Sequence, residues 1–230
     1  MLILLQEQAR RQSTRQFDRL FPDTGPLRRE LYPKHTEFFE AGAKYRERCF
    51  MAANRVGKTV GGGYEVAAHL TGRYPDWWPG RRFERPVRAW MAGKANETTR
   101  DILQAKMMGP IVYEGQRKSV AGTGIIPGDL LDRPTWKQGV PDLVDTIRVK
   151  HVSGGWSVLG VKSYQQGRGS FEGTEQHVIW LDEECPMDIY GECLIRTATT
   201  KGLIMLTFTP LEGMTEVAMQ FLPNDMRPDA

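Results

Sequence analysis

The segment Ala52-Ala53-Asn54-Arg55-Val56-Gly57-Lys58-Thr59 constrains this chain more than any other. Before it lies a short apolar run, residues 48–52, which reads as a buried strand. After it, residues 58–70 read as a helix that stops at Gly72. Strand, tight loop and helix in that order make a concave nest of backbone N–H groups, and the helix N-terminus adds partial positive charge. Gly57 lets the backbone approach a ligand closely. Lys58 in such a loop reaches phosphate oxygens, and the Thr59 hydroxyl is placed to ligate Mg²⁺. The segment fits the second half of the Walker A pattern, with Ala52 where the first glycine belongs. Gly-Lys-Thr alone also arises by chance at helix starts, so the reading needs a partner elsewhere in the chain.

That partner is Val178-Ile179-Trp180-Leu181-Asp182-Glu183, an apolar strand ending in two carboxylates. This is a Walker B arrangement. Asp182 falls at the carboxyl edge, where α/β sheets bind ligands, and is suited to hold Mg²⁺ through water. Glu183 is suited to orient and polarise an attacking water. Glu184 is a third acid with a weaker claim. A surface turn after a core strand is the plainer alternative, but the two motifs in this order favour nucleotide chemistry.

Around these motifs the chain alternates strand and helix. Strands are expected at 87–91, 177–181 and 203–208, and helices at 36–41, 97–108 and 186–199. Two strands, 146–152 and 156–164, flank Ser153-Gly154-Gly155 as a hairpin. Residues 2–20 read as an amphipathic helix, and 74–86 as a loop rich in Pro and Trp. Residues 109–141 carry too many Gly and Pro to order, and 222–230 read as a linker or tail. The expected fold is therefore α/β, a P-loop NTPase with a mainly parallel central sheet flanked by helices, plus an N-terminal helical extension and a β-hairpin. The expected domains are an extension at 1–31, a P-loop domain at 32–221 and a tail at 222–230.

Composition narrows the class. The chain has 230 residues, 40% of them hydrophobic and 26% charged, which suits one large globular domain. Its three cysteines form no Cys-x-x-Cys pair, which disfavours a disulfide framework or a zinc site. The apolar start, Met1 to Leu5, is too short for a membrane span or signal segment, so no membrane association is expected. The net charge of +3 says little about nucleic acid. Basic clusters at 10–19, 28–29, 44–48 and 81–88 read as solvated surface, or as a DNA or RNA path along one face.

Further details resemble the large subunit of phage terminases. Arg55 inside the loop resembles that family's deviant Walker A. Leu206-Thr207-Phe208-Thr209-Pro210 is similar to its coupling motif, and Gln166-Gly167-Arg168-Gly169 to its Arg-Gly element. Tyr32-Pro33-Lys34-His35 lies where the family carries its adenine-contacting motif, with His35 in place of the usual glutamine. The likeness runs from about residue 32 to 213. It implies an ATPase motor that drives double-stranded DNA into a procapsid in the host cytoplasm. The implied partners are a portal protein, a small terminase subunit and further copies of the chain in a ring. ATP and Mg²⁺ are the implied cofactors. A C-terminal nuclease domain is usual in the family, and nuclease activity is not expected from this chain.

In that reading Asn54, Arg55, Val56, Gly57, Lys58 and Thr59 hold the phosphates. Tyr32 and His35 contact the base, and Thr59 and Asp182 hold the metal. Glu183 activates water. Arg55 or Arg168 neutralises transition-state charge, in cis or from a neighbour, while Thr207 and Thr209 sense the γ-phosphate. Alternatives stand beside several of these. Arg168 is equally a turn residue, and Tyr32 equally a surface tyrosine beside Pro33. Arg196 reads more simply as a helix-face salt bridge, and Trp77 and Trp78 as loop anchors rather than DNA contacts. Two other functions compete: a helicase-type translocase, and a non-enzymatic capsid-assembly or DNA-binding module.

Overall fold

A computed structural model describes residues 15–211, 213 and 215–222. Most of the expected N-terminal helix and nearly all of the tail at 222–230 lie outside these residues. What is described of the former is one short helix, α1 (Gln16–Arg19), which buries Phe17.

The core is a seven-stranded sheet in the order β1 (Glu47–Met51), β9 (Leu203–Phe208), β8 (Val178–Asp182), β2 (Arg88–Gly93), β7 (Trp156–Ser163), β6 (Val144–Lys150) and β5 (Thr135–Trp136). The first five run parallel, β6 runs antiparallel to β7, and β5 antiparallel to β6. Every residue of β8 and β9 is buried, as their unbroken apolar runs require of central parallel strands. Strand β1 is exposed, buried or intermediate in turn, as befits a sheet edge. The strand before the loop at 54–57 is thus separated from the acidic strand by β9. The hairpin expected at 146–164 forms, but it is no separate appendage, because β7 also pairs with β2 and extends the main sheet.

The helices are α2 (Pro33–Lys44), α3 (Lys58–Thr71), α4 (Asn96–Thr98), α5 (Ala105–Met108), α6 (Met187–Ala198) and α7 (Glu216–Gln220). Helix α2 starts three residues earlier than the pattern at 36–41 suggests, because Pro33 at the first position fixes φ for a helix. A π segment, Thr99–Gln104, joins α4 to α5. The stretch at 109–141 that composition leaves unordered contains a two-stranded hairpin, β3 (Ile111–Glu114) and β4 (Arg117–Val120), turning at Gly115 with φ 63°.

Helix α3 is the centre of the packing. Its Gly61-Gly62-Gly63 run costs helix propensity of about 1 kcal/mol per residue. Close approach explains all three. A Cβ at Gly61 would meet the His35 ring at 2.9 Å, at Gly62 the Trp180 indole nitrogen at 2.5 Å, and at Gly63 the Met107 sulfur at 2.8 Å. Gly72 closes the helix in the left-handed region with φ 69°.

A buried polar chain ties α3 to its neighbours. The Arg48 guanidinium on β1 meets Glu65 at 2.7 Å, and the His69 Nε2–H donates to the same carboxylate at 3.2 Å. The Tyr74 hydroxyl donates to His69 Nδ1 at 2.9 Å and accepts the Phe83 N–H at 2.8 Å. This fixes the histidine tautomer and anchors the loop at 74–86 to the core. Trp78 is buried and donates its indole N–H to the Arg81 carbonyl at 3.0 Å, while Trp77 stacks on Tyr64 at 6.3 Å. Both tryptophans therefore serve as loop anchors.

Candidate phosphate and metal site

The register of the sheet brings the two sequence motifs together. Asp182 lies opposite Thr207 across β8 and β9, and Met51 lies opposite Phe208 across β1 and β9. The end of the acidic strand, the segment 207–210 and the start of the loop thus share one carboxyl edge.

Backbone geometry and side-chain hydrogen bonds hold the loop in its shape. Arg55 has φ 63° and Gly57 φ 86°, so the chain turns through the left-handed region twice before α3 begins. The buried Lys58 ammonium donates to the carbonyls of Ala52 at 2.9 Å and Ala53 at 2.7 Å, and to the Thr209 hydroxyl at 2.8 Å. Burial lowers its pKa, opposed by the charges of Glu183 and Asp182. Thr209 also approaches Asn54 Oδ1 at 2.7 Å. Lys58, Asn54 and Thr209 therefore latch the loop to the end of β9.

Asp182 is the last residue of β8 and is only 5% exposed. Its Oδ1 accepts from the Thr207 hydroxyl at 2.6 Å and, more loosely, from Thr59 at 3.3 Å. Burial pushes this carboxyl up to about 6, with hydrogen bonds from Thr207 and Thr59 and the charge of Lys58 pulling the other way. Glu183 follows in a left-handed turn (φ 64°) and is exposed, while its N–H still donates to the Thr207 carbonyl at 3.0 Å. The Tyr164 hydroxyl, from the end of β7, lies 2.9 Å from the Asp182 carbonyl and 3.2 Å from that of Glu183.

Beside Gly57 opens an apolar pocket of about 350 Å³, lined by Phe21, Tyr32, His35, Arg55, Val56 and Val60 among others. Tyr32 caps the start of α2 and stands edge-on to Phe21 at 5.8 Å. His35 is buried, which lowers its pKa, and as a neutral ring its Nε2–H donates to the Gly57 carbonyl at 3.2 Å. Its described hydrogen bond thus supports the loop from beneath.

Arg168 is not gathered into this cluster. Its guanidinium pairs with the buried Glu192 carboxylate on α6 at 3.0 Å, and Arg196 pairs with the other oxygen of Glu192 at 3.0 Å. The helix-face salt bridge is thus the observed state of Arg196. Arg55 and Val56 stand exposed on the loop. The sequence reading overlooks Trp180 and Tyr164. A signal was available for Trp180, since an indole within the apolar run 178–181 needs a buried hydrogen-bond partner; Tyr164, among Lys162, Ser163 and Gln165, carries no such signal.

The buried Asp182 carboxyl yields a prediction. Its folded-state value near 6 lies above the usual 3.8, so the folded protein holds this proton more tightly than the unfolded chain. Stability from this group is full below about pH 4 and is lost as pH rises to 6, a penalty of about 3 kcal/mol above that. Asp182→Asn is therefore expected to melt about 5 °C or more above the parent at pH 7.5 without divalent cation. The difference should shrink to about a third near pH 4.5. Melting curves of both proteins at the two pH values check this, and a gap independent of pH contradicts it.

A mainly parallel sheet, with a phosphate-type loop after its edge strand and an acid at the end of a central strand, defines a P-loop NTPase fold. Within that class, residues 49–230 match the family described as terminase large subunit, T4likevirus-type, N-terminal, and the chain belongs to that family. Over 212 residues it is 42% identical to the terminase large subunit of Salmonella phage P22, an alignment covering 84% of this chain and 41% of that protein. The chain thus spans about two fifths of that relative's length. Similar solved structures include a mutant of the large terminase ATPase domain of Thermus phage P74-26, at 11% identity over 72% of this chain and 60% of that one, with a TM-score of 0.43. Another is a large terminase from a thermophilic bacteriophage in complex with ADP, at 11% identity over 86% of this chain and 38% of that one, with a TM-score of 0.42.

Proposed function

We propose that this chain is the ATPase domain of a viral DNA-packaging motor, hydrolysing Mg²⁺-ATP to move double-stranded DNA into a procapsid in the host cytoplasm. The observation that carries the reading is the convergence of Lys58, Thr59, Asp182 and Thr209 on one sheet edge at the N-terminus of α3. In the packaging complex the chain would act as a ring of copies, with a portal protein and a small terminase subunit.

Each residue has a task in this reading. The loop amides of Asn54, Arg55, Val56 and Gly57 face the phosphates, and Lys58 exchanges its carbonyl partners for β- and γ-phosphate oxygens. The Thr59 hydroxyl and Asp182 carboxylate, 3.3 Å apart, form a hard-oxygen pair that fits Mg²⁺. The cation, when bound, neutralises charge on the phosphates. Glu183, exposed beside them, orients and deprotonates the attacking water. Tyr32 and the apolar pocket take the adenine, and His35 fixes the floor beneath it. Arg55 is the arginine nearest the phosphates, whereas Arg168 must first leave Glu192. Thr209, just past β9, touches the loop, and Thr207, on β9, touches the acid, so the loop and the acid are each tied to one continuous segment.

The test is hydrolysis of Mg²⁺-ATP by the purified chain over a wide range of protein concentration, with thermal shift as a second readout. Turnover together with an ATP-dependent rise in Tm is expected. A steep gain in specific activity with concentration assigns the arginine to a neighbour. No turnover and no thermal shift at any concentration would falsify the assignment.

A further inference from the structure

We propose that Trp180 positions the Asp182 carboxylate through the Thr207 hydroxyl; the inference rests on Asp182 being a divalent-cation ligand, as assigned above. The three groups stand in line within the core. The Trp180 Nε1–H donates to Thr207 Oγ1 at 2.8 Å, and that hydroxyl donates to Asp182 Oδ1 at 2.6 Å. Trp180 is fully buried, Thr207 is 1% exposed and Asp182 5%.

The polarity of this relay is fixed by chemistry. An indole N–H is only a donor, and a hydroxyl has one proton to give. A Thr207 oxygen that accepts from Trp180 therefore turns its own proton to its other partner, the carboxylate. The indole thus ensures that Oδ1 always meets an O–H donor. This pins the carboxylate rotamer before a cation arrives.

Packing ties the relay to the phosphate loop. The indole nitrogen fits only because residue 62 is glycine, where a Cβ would come within 2.5 Å of it. Residue 62 lies on α3, the helix that opens with Lys58 and Thr59. One side chain therefore rests on the helix that carries the loop and steers the acid facing it. Outer-shell hydrogen bonds of this kind set the orientation of metal ligands, and their loss weakens metal affinity by about 10–100-fold.

The experiment measures Mn²⁺ affinity by electron paramagnetic resonance in the presence of ADP, for the parent, Trp180→Phe, Thr207→Val and Thr207→Ser. Both Trp180→Phe and Thr207→Val are expected to weaken Mn²⁺ binding about tenfold. Thr207→Ser should restore it, because the hydroxyl returns. ADP affinity without metal should stay within about twofold, which a general packing defect would not allow. For Trp180→Phe, hydrolysis at saturating Mg²⁺ should stay near the parental rate, while the Mg²⁺ needed for half the rate rises. If Thr207→Val unfolds, Trp180→Phe still decides, since it keeps an aromatic ring in the slot.

Parental Mn²⁺ affinity in Trp180→Phe overturns the relay and leaves the site assignment standing. A parent that takes up no Mn²⁺ beside ADP overturns the assignment of Asp182 and the relay together.

Discussion

Glu183→Gln is expected to bind ATP as tightly as the parent and to hydrolyse it at least about a hundredfold more slowly, the usual weight of a general base. Glutamine is the better replacement than alanine because it keeps the side-chain length and still accepts a hydrogen bond from water. The backbone should not notice the change. Residue 183 sits at φ 64°, a strain that glutamate and glutamine bear alike, and its N–H donates to the Thr207 carbonyl in either case. Single-turnover hydrolysis beside equilibrium nucleotide binding separates the two effects. Parental turnover would move the catalytic role to another acid. Glu184 is the nearest candidate in the sequence, although its carboxylate is engaged by the Thr215 hydroxyl.

Lys58→Ala is expected to act on the other side of the reaction, weakening triphosphate binding by about a hundredfold or more, as loss of a charge-assisted contact to two phosphates implies. Apo stability should change little. The ammonium now sits 8% exposed among two carbonyls and a hydroxyl, and burial already disfavours its charge. Removing it leaves polar groups at the mouth of an open loop, where water reaches them. Nucleotide titration by calorimetry, beside the melting temperature without nucleotide, checks both parts. Undiminished ATP binding in this variant would contradict the phosphate role of the loop.

The two variants fail in different ways, and each failure is read on a residue that the sequence alone exposes. Lys58 and Thr59 stand out because Gly57 precedes them at a helix start, and Asp182 because it ends an unbroken apolar run. Local pattern carries that much, since both signals come from residues adjacent in the chain. The order of the sheet was not legible. Nothing in 203–208 says that this strand inserts between the loop strand and the acidic strand, because parallel pairing leaves no mark on an all-buried sequence. The hairpin at 111–120 carried a glycine turn that is visible in hindsight, but the surrounding Gly and Pro residues obscured it. Arg168 illustrates a further limit. Its neighbourhood suggested chemistry, yet its partner Glu192 lies 24 residues away on α6, and only the packed helix reveals the pairing.

The strand order also sets a length. Thr207 touches Asp182 and Thr209 touches Lys58, so the acid and the loop are gauged against two positions of a single backbone. In an extended chain, residues two apart stand about 7 Å from each other and on the same side. That interval belongs to the peptide geometry, and side-chain rotamers cannot stretch it. Thr207 on β9 and Thr209 just past its end at Phe208 are therefore two marks on a ruler, and two peptide units of one backbone separate the contact with the acid from the contact with the loop.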